Sequence, residues 1–217
     1  MGMATDHPDH AAGRDGLAGA GDWDDQYRAN TQIWSGQPNG ALVTEIGDAA
    51  PGRALDVGCG EGADAVWLAQ GGWQVTALDV SRVALDRARA AAHAAEVEVD
   101  WVHAGLLEAA LQEASFDLVS AQYPALLKTP GNDAVQALFV AVAPGGTLLF
   151  VHHADMDVKH DGDHDIDPAD YIGVEDIRTA VTDAWEVRVD ERRPRSVSGG
   201  GGAHHKEDLV LRLQRHR

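Results

Sequence analysis

Leu55-Asp56-Val57-Gly58-Cys59-Gly60-Glu61-Gly62 joins two different apolar patterns. Before it, Ala54 to Val57 is a short run of strand length; after it, Ala63 to Gln70 reads as a helix that Gly71-Gly72 stops. The order is therefore strand, glycine turn, helix. Glycines in such a turn reach positive φ and let a ligand approach the backbone closely. Many folds use glycine in tight turns for structural reasons alone, so the turn identifies no ligand by itself.

The same alternation continues downstream. WQVTALDV from Trp73 reads as a second strand, and SRVALDRARAAAHAA as a helix with Ser81 as its N-cap. VEVDWVHA predicts a third strand, FDLVSAQ from Phe116 a fourth, NDAVQALFVAV a helix from Asn132, and GGTLLFV a fifth strand ending at Val151. A helix follows from Val174 to about Thr182. WEVRVDERR from Trp185 and HKEDLVLRLQR from His205 then form two strands whose Pro- and Gly-rich connection suits a long antiparallel hairpin. Strands alternating with helices imply an α/β fold, a mostly parallel sheet covered on both faces.

Upstream, Ala41 to Ala50 has a helical pattern ended by Pro51-Gly52. In WDDQYRANTQIW, Trp23, Tyr27 and Trp34 fall along one side of a helix and turn, and core packing explains them as well as a ligand does. Residues 1–22 are rich in Gly, Ala, Asp and His without apolar period and are expected to form a flexible tail. One folded domain, 23–217, is expected after it.

The chain of 217 residues carries 35 acidic against 17 basic side chains, a formal charge of −18, which repels phosphate backbones and anionic lipid and argues against nucleic acid as a partner. Arg192, Arg193 and Arg195, broken by Pro194, read as a solvated turn. No run has the length of a membrane span and no export signal is evident, so a cytoplasmic location, away from membranes, is expected. Cys59, the single cysteine, excludes an internal disulfide and a four-cysteine zinc site. No cysteine nucleophile is indicated, because no local arrangement supplies a histidine partner.

Asp79 ends the second strand about 20 residues beyond the glycine turn, where an acidic side chain accepts hydrogen bonds from both hydroxyls of a ribose. Turn and carboxylate together describe a nucleoside pocket. Dinucleotide folds use G-x-G-x-x-G, but here the third glycine comes one residue early, and Asp56 and Glu61 favour a cationic ligand over a pyrophosphate.

LDVGCGEG followed by ALDVS resembles the glycine motif and acidic second-strand motif of class I S-adenosylmethionine (SAM)-dependent methyltransferases. FDLVSAQY and VAPGGTLL are similar to that family's fourth-strand motif and its turn into the fifth strand. The resemblance covers Trp23 to Arg217 and is best between Ala54 and Val151; WDDQY…WSGQPN is further similar to the small tellurite-resistance and thiopurine methyltransferase-like group, whose N-terminal segment covers the cofactor. It implies a Rossmann-like three-layer sandwich with seven strands ordered 3-2-1-4-5-7-6, the last antiparallel. By the same resemblance Asp56, Gly58, Cys59, Gly60 and Gly62 cradle the methionine side of SAM, Asp79 holds the ribose, and Val80 flanks adenine. Gly105 and Leu106 stand in the adenine loop, where many relatives have an acidic residue instead of Gly105. Tyr27 and Trp34 are expected in the cofactor lid, Arg28 is a possible partner of the methionine carboxylate, and Gln122 is expected at the pocket mouth.

The implied activity is methyl transfer to an O, N, S or metalloid atom of a small molecule, with S-adenosylhomocysteine as the product, by a monomer or homodimer. A nucleotide-dependent oxidoreductase and a catalytically silent SAM-binding module are the competing readings. Tyr123, His152 and His153 follow strands four and five, at the strand ends where open α/β sheets bind ligands, and are the candidate catalytic residues. Either histidine equally fits a satisfied loop position. His152 to Asp167 holds four histidines and many aspartates, but an EF-hand register from Asp157 places Lys159 and Pro168 at ligand positions, so no metal is expected.

Overall fold

β1 (Arg53–Val57) pairs in parallel with β2 (Gln74–Asp79) on one side and β4 (Phe116–Gln122) on the other. β3 (Asp100–His103) adds to β2, β5 (Val142–His153) to β4, and β7 (Glu207–Arg215) runs antiparallel to both β5 and β6 (Trp185–Pro194). The sheet order is β3-β2-β1-β4-β5-β7-β6, the expected Rossmann-like arrangement. This is a computed structural model, which describes residues 20–154, 168–195 and 199–217.

Alternation along the strands splits the core in two. Leu55, Val119, Leu148, Phe150 and Leu211 pack on one face with α5 (Asp133–Ala141) and α6 (Val174–Ala180). Ala54, Val75, Leu118, Leu149 and Val210 pack on the other with α2 (Gly40–Ile46) and α3 (Ala63–Gln70). α4 (Arg82–Ala94) starts at Ser81, whose side chain accepts the Ala84 N–H at 3.1 Å, as the sequence predicts for an N-cap.

Element ends differ from expectation for local reasons. β3 loses Val97–Val99 because residues 95–97 close α4: Glu96 has φ 55° and the Val97 N–H reaches the Ala92 carbonyl at 3.1 Å. β5 starts three residues earlier, at Val142, which pairs with Phe116 across a register shift, and extends to His153 opposite Asp208. α1 (Ala20–Ala29) takes in Ala20, Gly21 and Asp22 of the expected tail. Residues 1–19 of that tail and 155–167 of the His/Asp-rich loop lie outside the described residues.

Strand order reverses between β1 and β4. The C-terminal ends of β1, β2, β4 and β5 therefore open a crevice at that switch point, which is where the glycine turn and the residues after β4 and β5 meet.

Candidate active site

The turn after β1 is tied to β2. Gly58 and Cys59 both donate to the Leu78 carbonyl, at 2.9 and 3.0 Å. The Asp79 carboxylate accepts the Gly60 N–H through Oδ2 and the Ser81 N–H through Oδ1, each at 2.8 Å. Gly58 and Gly62 both have positive φ, 72° and 84°, but for different neighbours. A Cβ on Gly62 would stand 2.7 Å from the Ala88 Cβ and 2.9 Å from the Trp101 ring, so this glycine lets α4 pack close. A Cβ on Gly58 would meet nothing within 4 Å; the space above it opens to the cavity.

Three buried carboxylates meet around this turn: Asp56, Asp64 and Asp79 are 2, 6 and 9% exposed. Burial pushes all three towards the protonated form, and for Asp56 the charges of Asp64 and Asp79 add to it. Asp64 accepts the backbone and side-chain N–H groups of Asn39, at 2.7 and 2.8 Å, and so fixes the start of α2. Asp56 Oδ2 has no hydrogen-bond partner among the described residues. Glu61, expected to supply negative charge here, is already neutralised: it pairs with Arg87 at 2.7 Å and accepts the N–H groups of Ile33 and Trp34. Asp64, two residues beyond the motif in the first turn of α3, adds a further carboxylate to the cavity wall.

Glu61 and Arg87 instead anchor the segment that follows α1. The Arg87 guanidinium also donates to the carbonyls of Tyr27 and Asn30, which holds the chain over the turn. Tyr27 is buried, and its hydroxyl accepts the Trp34 indole N–H at 2.8 Å; a Cβ on Gly60 would press on both. Gly201 closes the roof from the far side, its N–H bonded to the Ile33 carbonyl at 2.6 Å. Arg28 does not join this group. Its guanidinium faces outward onto Asp24 and Asp25, at 2.9 and 2.8 Å, because one helical turn separates it from those carboxylates on the solvent side of α1.

At the opposite end stand Tyr123, His152 and His153. Tyr123 has φ 52°, unusual for an aromatic side chain, and donates its hydroxyl to Asp208 Oδ2 at 2.8 Å. The Arg195 guanidinium lies 4.8 Å over the Tyr123 ring and donates to its hydroxyl oxygen at 3.2 Å. His153 is stacked between Tyr123 and His205, with ring centroids 4.2 and 3.7 Å away, and its Nδ1 lies 3.5 Å from Asp208 Oδ1. His152 is buried, which pulls its pKa down to about 4. Its Nδ1 accepts the His153 N–H at 3.0 Å, which leaves the proton of the neutral ring on Nε2. Cys59 sits between, its thiol pushed up by burial and by Asp56, which does not suit a nucleophile.

These two ends share one cavity of about 530 Å³, a volume within the usual range for cofactor sites. Tyr27, Trp34, Asp56, Gly58, Cys59, Gly60, Gly62, Asp79, Val80, Gly105, Leu106, Gln122, Tyr123, His152 and His153 all line it, and Arg28 alone of the expected site residues does not. The sequence reading missed Asp64, Arg195 and Asp208. An acidic residue in the first turn of the helix after Gly62 was a visible signal for Asp64. Asp208 reaches the site only through the antiparallel register of β5 and β7, and has no local signature. No cluster of three or more metal-ligating side chains, and no helix long and apolar enough to cross a membrane, occurs among the described residues.

Residues 54–146 match the family model described as a methyltransferase domain. An uncharacterized methyltransferase of Mycobacterium tuberculosis is 37% identical over 97 residues, 45% of this chain and 48% of that protein, so the chain spans about half the length of the curated relative it matches. Among solved structures, one reported for the conversion of a disulfide bond into a thioacetal group during echinomycin biosynthesis is 23% identical, with a TM-score of 0.73 over 91% of this chain and 92% of that one. The N-methyltransferase NodS of Bradyrhizobium japonicum, in complex with S-adenosylhomocysteine, is 21% identical, with a TM-score of 0.67 over 93 and 99% of the two chains. At these identities the solved structures speak for the fold.

Proposed function

We propose that this chain, whose residues 54–146 match a methyltransferase domain, is a class I SAM-dependent enzyme that transfers the methyl group of SAM to a small-molecule O, N or S nucleophile. The observation that carries this reading is the single cavity with an acidic, glycine-walled end and a Tyr/His end. The acidic end fits the donor. Asp56 Oδ2 is buried without a hydrogen-bond partner among the described residues, Asp64 and Asp79 deepen the negative field, and the open space over Gly58 admits a ligand against the backbone. A cation stabilises such carboxylates in their charged form, whereas a pyrophosphate would be repelled.

On this reading Asp79 holds the ribose, Asp56 with Gly58, Cys59, Gly60 and Gly62 faces the methionine portion, and Val80, Gly105 and Leu106 border the adenine. Tyr27 and Trp34 cover the donor, and Gln122, whose buried Oε1 has no hydrogen-bond partner among the described residues, lines the same space. SAM supplies an electrophilic methyl carbon on a leaving group that departs neutral. The protein positions the acceptor against it and excludes water, which itself supplies a large share of the rate. Tyr123, His152 and His153 surround the acceptor.

The test is saturation binding of SAM against NADH, followed by S-adenosylhomocysteine formation with panels of thiols, phenols and amines. Saturable SAM binding and acceptor-dependent turnover are expected. Binding of NADH but not SAM would return the oxidoreductase; SAM binding with no turnover on any panel favours the silent module.

A further inference from the structure

We propose that Asp208 is a positioning residue that holds His153 with its proton on Nδ1, so that Nε2 serves as the base for a protic acceptor. The proposal rests on the methyl-transfer reading and deepens it.

Asp208 and His153 stand opposite each other in the β5–β7 ladder, and both side chains are largely buried. His153 Nδ1 and Asp208 Oδ1 lie 3.5 Å apart, and neither makes a hydrogen bond among the described residues. Asp208 Oδ1 also lies 3.6 Å from Arg195 Nε, so this oxygen sits in an ion pair. Against such a buried carboxylate oxygen the His153 Nδ1 is favoured with a proton and disfavoured with a lone pair. The other oxygen of Asp208 is fixed by the Tyr123 hydroxyl, so the carboxylate cannot swing away. Among the described residues, the charged or titratable groups facing His153 are Tyr123 after β4, His152 beside it on β5, Arg195 and His205 between β6 and β7, and Asp208 on β7. Stacking of His153 between Tyr123 and His205 fixes the ring plane and leaves its two nitrogens as the working edges.

With Nδ1 turned to Asp208, the lone pair falls on Nε2, at the edge beside Gly202, where a Cβ would stand only 3.4 Å away. His152 cannot take this role, because its own Nδ1 lone pair accepts the His153 N–H. Burial holds His153 below its ordinary pKa and Asp208 opposes that, so the ring is neutral and ready to accept at neutral pH. In the step, the acceptor atom bonds to the methyl carbon, and the carbon–sulfur pair stays on sulfur. The acceptor's proton passes to His153 Nε2, leaving an imidazolium beside the Asp208 carboxylate until water removes it. The favoured substrate is therefore a phenol, alcohol or thiol that must lose a proton, as distinct from an anion already formed.

The experiment compares wild type with Asp208→Asn and with the conservative Asp208→Glu, which keeps the carboxylate. Nitrogen-15 NMR of the His153 ring reads the tautomer without turnover: Nδ1–H is expected in wild type and Asp208→Glu, and its loss in Asp208→Asn. Calorimetry with SAM should give the same affinity for all three. The rate with a protic acceptor should fall about 100-fold in Asp208→Asn, with its pH inflection moved to lower pH, and the rate with a preformed thiolate should not change. An Nε2–H ring in wild type, or an equal loss with the thiolate, overturns the proposal. Failure of SAM to bind overturns the methyl-transfer reading instead and leaves the tautomer result to decide the role of Asp208.

Discussion

Asp79 accepts the Gly60 N–H at 2.8 Å, so the carboxylate that ends β2 also fixes the turn that follows β1. Its second oxygen takes the Ser81 N–H at the start of α4. One side chain thus holds two βα junctions, and any ribose hydroxyl it binds shares oxygens already in use for folding.

Replacing it should therefore harm stability as well as ligand binding. Asp79→Ala gives up two charge-assisted bonds and is expected to lower unfolding free energy by about 2–4 kcal/mol, with SAM affinity falling too. Chemical denaturation and calorimetry on the same preparations read both. Affinity lost at unchanged stability would mean that the Gly60 and Ser81 bonds contribute little.

The two glycines of contrasting surroundings should separate. Gly62→Ala meets the Ala88 Cβ at 2.7 Å in addition to its positive φ and is expected to destabilise by roughly 2–4 kcal/mol. Gly58→Ala has only the φ penalty, about 1–2 kcal/mol, but puts a methyl group into the cavity. Thermal melts should rank Gly62→Ala lower, and SAM titration should show the larger affinity loss per unit of stability in Gly58→Ala.

Arg87→Ala should loosen the covering segment without touching the sheet. Glu61 would keep the Ile33 and Trp34 amides but lose its cation, and the carbonyls of Tyr27 and Asn30 would lose their donor. Faster hydrogen exchange at residues 30–36 and a higher SAM dissociation rate are expected, with little change within β1 and β4. Exchange unchanged at 30–36 would show that Glu61, Gly201 and the Tyr27–Trp34 contact hold the cover without Arg87.

His152 makes stability depend on acidity. Unfolded, the ring titrates near its ordinary 6.5, and in the fold its pKa is about 4. Between these values the unfolded chain binds the proton and the folded chain does not. The contribution is complete above 6.5, declines as pH falls towards 4, and amounts to on the order of 3 kcal/mol. His152→Asn, which keeps an acceptor for the His153 N–H, should flatten the difference in unfolding free energy between pH 7.5 and 4.5. Equal slopes in the two proteins would assign the dependence to other groups.

Much of this was legible because it is local. The glycine turn, the Ser81 cap and the alternation of strands and helices each need only a few adjacent residues, and the nucleotide-side wall follows from them. Arg28 was misplaced because an arginine on a helix reads the same whether it faces a ligand or two aspartates one turn away. Glu61 lines the cavity as its place in the turn suggests, but its charge is balanced by Arg87, 26 positions on, which no local pattern reveals. Asp208 was missed for the same reason: its neighbours come from β4, from β5 and from the stretch before β7, and only sheet register brings them together.

The bond from Gly201 to Ile33 has a consequence for which molecules are admitted. This part of the roof joins Ile33 and Trp34 on one side to Gly200 and Gly201 on the other, stretches more than 160 positions apart in sequence and both outside the strands. A Cβ at either glycine would push directly on Trp34 or Ser35. Widening or narrowing that part of the roof by a few substitutions would re-tune the size of guest accepted while the scaffold beneath stays as it is.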